Sequence, residues 1–172
     1  MHRIHPAPKR WIATTFALVA LALSIPGYAK VLHEERSVYT RIIVEDERNL
    51  RCLKFTLVRE NSRQTCMDRN NPQRLVFDYA KMTLSALLLK PDPERILIIG
   101  LGGGTLPMAL RDILPSAVID TVEIDEAVVR VAKRFFDFAE DDQNRVYVQD
   151  ARVFGKRAAL RGEQYDLIIL DA

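Results

Sequence analysis

Histidine, tryptophan and cysteine are scarce in this chain of 172 residues, which contains three histidines, one tryptophan and two cysteines. Two of the histidines and the tryptophan lie in residues 1–29, which leaves His33 as the only histidine of residues 30–172. Histidine-rich metal sites are therefore excluded there. The sequence also lacks GxxxxGK[ST], the loop that holds a nucleoside triphosphate.

An excess of positive charge is also absent once the N-terminus is set aside. The formal net charge is +2, but residues 1–29 contain three basic and no acidic residues, which leaves 22 basic and 23 acidic residues in the remainder. Nucleic-acid binding loses its electrostatic support and is not expected. Hydrophobic residues make up 48% of the chain, which is enough for one well-buried domain with a small appendage.

The N-terminus has the order of an export signal. Basic residues precede an apolar run from Trp11 to Ile25, and the small residues Gly27 and Ala29 follow it. This order predicts cleavage after Ala29 and a periplasmic or secreted protein. The alternative is an uncleaved membrane anchor, although the run is shorter than the roughly 20 residues that span a bilayer.

The two cysteines are candidates for a disulfide. Cys52 and Cys66 flank the turn-like residues around Arg59, so a hairpin centred there places one cysteine opposite the other. A bridge closing a loop of this size contributes about 3 kcal/mol in the chain-entropy model. The alternative is a pair of small buried thiols.

A small antiparallel sheet is predicted for residues 30–70. Segments 38–44 and 50–58 have the composition of strands, with a charged turn between them. Residues 71–172 form the second predicted domain, which begins with a helix over 75–89 that Pro91 and Pro93 end.

From Arg95 onward, short strands and helices alternate, which indicates an open parallel sheet with right-handed crossovers. The sequence ends after a predicted buried strand, so we expect an incomplete sheet and a fragment of a longer protein. The predicted strands are 96–99, 117–123, 145–149 and 165–170, and the predicted helices are 105–114, 126–136 and 151–160.

A glycine-rich turn follows the first of these strands. Gly100, Gly102, Gly103 and Gly104 leave the turn almost without side chains, and a helix is predicted to begin at Thr105. The free N–H groups and the positive dipole end of that helix face whatever polar group enters over the glycines. The sequence therefore predicts a nucleotide or nucleoside site.

Acidic residues follow three of the four predicted strands at the edge where such sheets bind ligands. Glu123 stands at the distance from the glycines at which an acid accepts hydrogen bonds from ribose hydroxyls. Asp150, followed by Ala151, is placed to meet the base, and Asp171 faces the reacting end of the ligand. Asp125 is a further ligand-binding candidate, and both Asp125 and Asp150 can equally be helix N-caps.

The glycine turn, with Thr105 where GxGxxG has its last glycine, resembles the adenosine-sulfonium loop of class I S-adenosylmethionine-type enzymes. Over residues 38–172 the sequence resembles the polyamine aminopropyltransferases, the spermidine and spermine synthase family. The segments that carry this resemblance, in order, are SVYTRIIV, RLVFDYAKM, RILIIGLGGGTLP, TVEIDEAVV, VQDAR and YDLIILDA.

The resemblance implies an exported bacterial-type spermidine synthase-like protein with a Rossmann-like sheet after a small β domain. It implies that Glu123 holds the ribose of the donor, that Asp150 holds the adenine and that Asp171 helps to take a proton from the attacking amine. Tyr79 matches a tyrosine near that amine.

The resemblance also implies the reaction and the partners. An amine attacks the propyl carbon beside the sulfonium of decarboxylated S-adenosylmethionine, and methylthioadenosine leaves. These nucleosides are co-substrates, with no prosthetic group, and a homodimer is expected.

The sequence departs from the family at the glycine turn. The family has GGGDG, and Thr105 stands where its aspartate would anchor the ammonium group of the donor. Further departures are Thr40 in place of a glutamine and Ala80-Lys81 in the Tyr-Gln/His-Glu-Met motif. The alternatives are an S-adenosylmethionine-dependent methyltransferase and a non-catalytic module that binds a nucleoside or a polyamine.

Overall fold

The structure of the protein is a computed structural model that describes residues 29–56 and 62–172. The predicted export signal, the end of the predicted strand 50–58 and the turn around Arg59 lie outside those residues. Within the described part, an antiparallel sheet precedes a parallel sheet covered by helices. This is the predicted fold class, and it is confirmed.

Five antiparallel strands form the first sheet, and each pairs with the next along the chain. Charged residues cover much of its outer surface, while alternate apolar residues such as Ile42, Val44 and Leu53 are fully buried. The strands are β1 (Lys30–Arg36), β2 (Arg41–Glu47), β3 (Leu50–Phe55), β4 (Ser62–Asp68) and β5 (Asn71–Leu75).

The predicted strand 38–44 is wrong at its start. Residues 37–40 form a turn in which Ser37 Oγ accepts hydrogen bonds from the N–H groups of Tyr39 and Thr40, at 3.1 and 3.0 Å. A serine side chain that pairs with the backbone in this way competes with strand formation. Strand β2 therefore begins only at Arg41, and the sequence analysis missed β1 before the turn.

The predicted helix 75–89 is also only partly correct. Leu75 is the last residue of β5 and pairs with Met67, so helix α1 begins at Asp78 and covers Asp78–Thr83. A 3₁₀ helix, Leu84–Leu88, follows it. Pro72 is tolerated within β5, because β5 is the edge strand of its sheet. The sheet thus extends five residues past position 70.

The second sheet is parallel, with the spatial order β8-β7-β6-β9. Each strand and helix lies within two residues of its predicted bounds. The elements are β6 (Arg95–Ile99), α2 (Thr105–Ile113), β7 (Val118–Glu123), α3 (Glu126–Phe135), β8 (Asn144–Val148), α4 (Ala151–Leu160) and β9 (Leu167–Leu170).

Both faces of the parallel sheet are covered by helices. Ile96, Ile98 and Ile119 pack against Leu106 and Leu110 of α2 on one face. On the other face, α4 buries the side chains of Phe154 and Ala158 against the sheet. Burial on both faces explains why these strands are continuous apolar runs.

Helix α3 joins the two sheets. Its residues Val128 and Val131 pack against Ile42, Val44 and Leu53 of the antiparallel sheet. Full burial of a side chain of this kind stabilises the fold by about 1.5–3 kcal/mol. This contact fixes the antiparallel sheet beside the loops that follow β6 and β7.

The two cysteines face each other on adjacent strands. Cys52 of β3 pairs with Cys66 of β4, their Cα atoms are 4.1 Å apart, and the sulfurs form a disulfide. Both residues are almost completely buried. Of the two alternatives that the sequence left open, the structure has the bridge.

Candidate functional site

The glycine turn after β6 is shaped by a neighbouring strand. Gly100 has φ +102°, and a Cβ at this position would lie 2.2 Å from the carbonyl oxygen of Asp171. Only glycine allows β9 to approach so closely with this backbone conformation. The turn and the end of β9 therefore form one continuous surface.

A residue of the antiparallel sheet also contacts the glycine turn. The Oγ1 atom of Thr65 accepts a hydrogen bond from the N–H of Gly103 at 3.0 Å, and a Cβ on Gly102 would lie 2.5 Å from the same oxygen. Thr65 is buried. Strand β4 thus satisfies one of the free N–H groups of the turn and fixes its position.

Backbone N–H groups hold the side chain of Glu123, the last residue of β7. Its two carboxylate oxygens accept hydrogen bonds from Leu101, at 3.0 Å, and from Asp125, at 2.9 Å. The residue is only 9% exposed. Each oxygen has further lone-pair capacity, so the carboxylate can accept hydrogen bonds from ligand hydroxyls.

Asp150 is the N-cap of α4. Its Oδ1 atom accepts hydrogen bonds from the N–H groups of Arg152, at 2.8 Å, and of Val153, at 3.3 Å. The Arg152 guanidinium also pairs with the carboxylate, with 2.7 Å between Nη2 and Oδ2. The hydrogen bonds from Arg152 lower the pKa of Asp150 to about 2, so the carboxylate is charged at neutral pH.

Asp171 and Tyr79 form a pair at the far side of the glycine turn. Both side chains line the same cavity. Burial raises the pKa of Asp171 above its ordinary value, and the hydrogen bond from Tyr79 partly offsets that effect. Burial, followed by the nearby charge of Asp171, raises the pKa of Tyr79 to about 12. Asp171 is thus an acceptor of raised basicity, and Tyr79 remains a hydrogen-bond donor at neutral pH.

One cavity of about 380 Å³ brings most of the predicted site residues together. The predicted residues that line it are Tyr79, Gly100, Gly102, Glu123, Asp150, Ala151 and Asp171. Its size is within the range of small-molecule sites. The acids at the ends of three strands thus face one space beside the glycine turn.

Four predicted ligand-binding residues do not line this cavity. Gly103 and Gly104 are packed against the rings of Phe136 and Phe138. Asp125 caps α3 by accepting a hydrogen bond from the N–H of Ala127 at 2.9 Å, the structural role that the sequence left open. Thr105 is the first residue of α2 and borders a smaller adjacent cavity, which Tyr79 and Asp171 also line.

Eight residues that line the 380 Å³ cavity are not among the predicted site residues: Phe55, Gln64, Thr65, Ile99, Val122, Ile124, Arg152 and Ala172. The first three lie on β3 and β4. The alternation of apolar and polar residues that predicts a strand does not indicate which loop that strand will contact. Arg152 could have been found, because a basic residue directly after an N-cap acid is within reach of that acid.

Two other kinds of site are absent from the described residues. No helix there is long and apolar enough to cross a membrane. Residues 29–56 and 62–172 also contain no group of three or more histidine, cysteine or acidic side chains that could hold a metal ion.

Comparison with known proteins gives a family match over the parallel-sheet region and a longer match to an individual relative. The family model of the spermine/spermidine synthase domain matches residues 77–172. A polyamine aminopropyltransferase from Vibrio vulnificus is 46% identical over 165 residues, which cover 94% of this chain and 55% of that protein. This chain thus spans about half the length of that relative.

Two solved structures are also similar. The spermidine synthase from Thermotoga maritima matches with a TM-score of 0.61 and 21% identity, over 83% of this chain and 48% of that one. At this identity the match concerns the fold alone. Human methyltransferase-like protein 13, solved in complex with SAH, is 33% identical and matches with a TM-score of 0.50, over 55% of this chain and 47% of that one.

Proposed function

This chain belongs to the spermine/spermidine synthase family, and we propose that it transfers an aminopropyl group from decarboxylated S-adenosylmethionine to an amine. The observation that carries the proposal is the placement of the Tyr79–Asp171 pair on the cavity that Glu123 and Asp150 also line. Glu123 and Asp150, which can bind a nucleoside, thus line the same cavity as Asp171, which can accept a proton.

The nucleoside lies across the ends of β7 and β8 in this proposal. Glu123, fixed by the N–H groups of Leu101 and Asp125, accepts hydrogen bonds from the ribose hydroxyls. Asp150 accepts a hydrogen bond from the amino group of the adenine. The sulfonium end then extends past Gly102 toward Asp171.

In the reaction step, the neutral nitrogen of the amine attacks the propyl carbon bonded to sulfur. A C–N bond forms while the C–S bond breaks, and its electron pair stays on the sulfur of the departing methylthioadenosine. The Asp171 carboxylate accepts the proton that the nitrogen loses, and Tyr79 orients that carboxylate. Much of the acceleration comes from holding the two reactants in line.

The first experiment measures methylthioadenosine release by the full chain with decarboxylated S-adenosylmethionine and a set of diamines. Asp171→Asn should lower turnover by about 10²- to 10⁴-fold, the usual worth of a general base, while methylthioadenosine still binds. Absence of turnover with every diamine, together with retained nucleoside binding, would favour the non-catalytic module instead.

The second experiment tests the nucleoside site by titration calorimetry with methylthioadenosine. Glu123→Gln and Asp150→Asn should each weaken binding by about 10- to 100-fold, the range for hydrogen bonds to a charged group. Asp142→Asn is the matched control, because Asp142 is an exposed acid outside the cavity. Unchanged binding in both cavity variants would remove the basis of the proposal.

A methyltransferase is the second candidate, because Thr105 stands at the start of α2 where a carboxylate would bind the donor ammonium. The similarity to human methyltransferase-like protein 13 points the same way. Titration with S-adenosylmethionine and its decarboxylated form separates the two candidates. Thr105→Asp should shift the preference toward the decarboxylated form by about tenfold, since it adds a charge-assisted contact.

Export and self-association complete the proposal. The order of basic, apolar and small residues before position 30 supports export, as does a disulfide between Cys52 and Cys66, because disulfides persist in oxidising compartments. The resemblance to the family supports a homodimer that binds small amines and nucleosides rather than nucleic acid. Detection of the protein in a periplasmic fraction and its mass by light scattering test these two parts.

A further inference from the structure

Arg152 is a cation at the edge of the nucleoside cavity. Its guanidinium binds Asp150 through two nitrogens, with 2.7 Å from Nη2 to Oδ2 and 3.2 Å from Nε to Oδ1. The Oδ1 atom already accepts the two N–H groups of the helix cap. Arg152 therefore occupies the oxygen of Asp150 that the helix leaves free.

Glu123 shows the opposite arrangement on the same cavity wall. Backbone N–H groups hold its carboxylate, and among the described residues no ion pair with it is formed. Its contacts therefore need not break when a ligand binds. The outer oxygen of Asp150, by contrast, is bonded to the Arg152 guanidinium, which competes with a donor group of the ligand for that oxygen.

The Arg152 side chain is free to move away from that oxygen. It is 88% exposed, and Asp150 is the only side chain to which it is bonded within the described part of the chain. No packing against neighbouring side chains has to be broken when the guanidinium swings away. The cost of opening is that of one exposed ion pair, which is small and depends on salt.

We infer that Arg152 acts as a latch on Asp150: its guanidinium competes with the base of the nucleoside for the carboxylate and moves away when the base binds. This inference rests on the proposed function, in which Asp150 receives the amino group of the base. It makes Arg152 a specificity-determining residue, because only a ligand with a donor at that edge of its base compensates for the lost ion pair. A ligand without such a donor leaves the latch closed.

Salt dependence distinguishes a latch from a direct ligand contact. Methylthioadenosine has no net charge, so screening has little direct effect on its attraction to the site. High salt nevertheless weakens the Asp150–Arg152 pair that competes with it. Binding of the neutral nucleoside should therefore become tighter as salt rises, by about two- to fivefold between low and high ionic strength.

The test is a calorimetric titration of methylthioadenosine into the full-length protein, Arg152→Gln and Arg157→Gln at low and high salt. Arg157 lies on the same helix but contacts Gln149, at 3.3 Å, and serves as the matched control. Arg152→Gln should bind about two- to fivefold more tightly than the unaltered protein at low salt and should show little salt dependence. Arg157→Gln should behave like the unaltered protein.

Four outcomes would overturn the inference. Weaker binding by Arg152→Gln would make Arg152 a ligand contact, and equal affinity and salt dependence in all three proteins would remove its role while leaving the proposed nucleoside site intact. Absence of binding in all three proteins would defeat the nucleoside site as well. A titration of Asp150 by NMR reports on the pair without any ligand, and its pKa should be higher in Arg152→Gln; an unchanged pKa would show that the latch does not close.

Discussion

The antiparallel sheet, residues 30–75, and the parallel sheet, residues 95–170, form the site in different ways. The parallel sheet contributes groups that lie at or just beyond the carboxyl ends of its strands: the glycine turn, Glu123, Asp150 and Asp171. The antiparallel sheet contributes Thr65 and other side chains from within its strands. The first set is fixed by local chain geometry, whereas the second is fixed by how one sheet packs against the other.

The two regions also differ in what stabilises them. Packing of α2 and α4 on its two faces provides the parallel sheet with apolar cores. The antiparallel sheet has one such face and adds the Cys52–Cys66 bridge and ion pairs such as Arg51–Asp46, at 2.8 Å. The antiparallel sheet thus has a covalent cross-link, which the parallel sheet lacks because residues 95–170 contain no cysteine, and the Thr65–Gly103 contact joins it to the glycine turn.

The largest expected effect is that of Gly100→Ala in the parallel sheet. The new Cβ would meet the Asp171 carbonyl oxygen at 2.2 Å in a backbone conformation with φ +102°, so we expect a loss of about 4 kcal/mol in the free energy of unfolding and loss of nucleoside binding. Urea unfolding and calorimetry measure both.

Gly155→Ala is the matched control for that change. Gly155 lies within α4, and an added Cβ would have no atom within 4 Å. The free energy of unfolding of this variant should therefore rise by about 0.5–1 kcal/mol, because alanine has the higher helix propensity. Equal stability of the two variants would show that β9 does not approach the turn as described.

The second effect tests the antiparallel sheet. Replacing both cysteines by alanine should lower the free energy of unfolding by about 3 kcal/mol, because the bridge closes a loop between residues 14 positions apart. The free energy of unfolding of the unaltered protein and of the double variant is measured with and without a reductant. Since β4 still pairs with β3 and β5, methylthioadenosine affinity should change little; a large loss of affinity would mean that the bridge also positions Thr65.

The third effect tests the contact between the two regions. Thr65→Val keeps the shape of the side chain but leaves the buried N–H of Gly103 without its acceptor, which should cost about 1–3 kcal/mol and weaken nucleoside binding. Thr56→Val is the control, because the Thr56 hydroxyl makes a long, exposed contact with the Arg41 carbonyl, at 3.5 Å, and no other hydrogen bond within residues 29–56 and 62–172. Similar losses in both variants would argue against a specific role for Thr65.

The smallest expected effect is a pH dependence at the end of β9. Burial raises the folded-state pKa of Asp171 above its ordinary value of 3.8, so the folded state holds this proton more tightly than the unfolded state. The resulting stability is fully present below pH 3.8 and is lost as pH rises through the folded-state pKa.

Asp171→Asn removes this titration. The variant should therefore be more stable than the unaltered protein at pH 7, and that advantage should shrink on acidification. Urea unfolding at several pH values measures the difference, and a difference that stays constant from pH 3.5 to 7 would contradict the raised pKa.

The sequence by itself predicted the parallel sheet, because strands buried on both faces are continuous apolar runs separated by amphipathic helices. It also predicted which acids meet, since the carboxyl ends of parallel strands lie at one edge of a sheet, and Glu123, Asp150 and Asp171 follow three of these ends. The hairpin predicted around Arg59 placed Cys52 opposite Cys66, but only the structure decided between a bridge and two buried thiols.

The tertiary structure decided what local patterns do not encode. The Ser37 turn shortened a predicted strand, and the pairing of Leu75 with Met67 replaced the first turn of a predicted helix. Asp125 and Asp150 both cap helices, yet Asp150 lines the 380 Å³ cavity beside the glycine turn and Asp125 does not. Thr65 reaches Gly103 across 38 residues of chain because α3 packs one sheet against the other, and such a contact depends on the whole fold rather than on any segment.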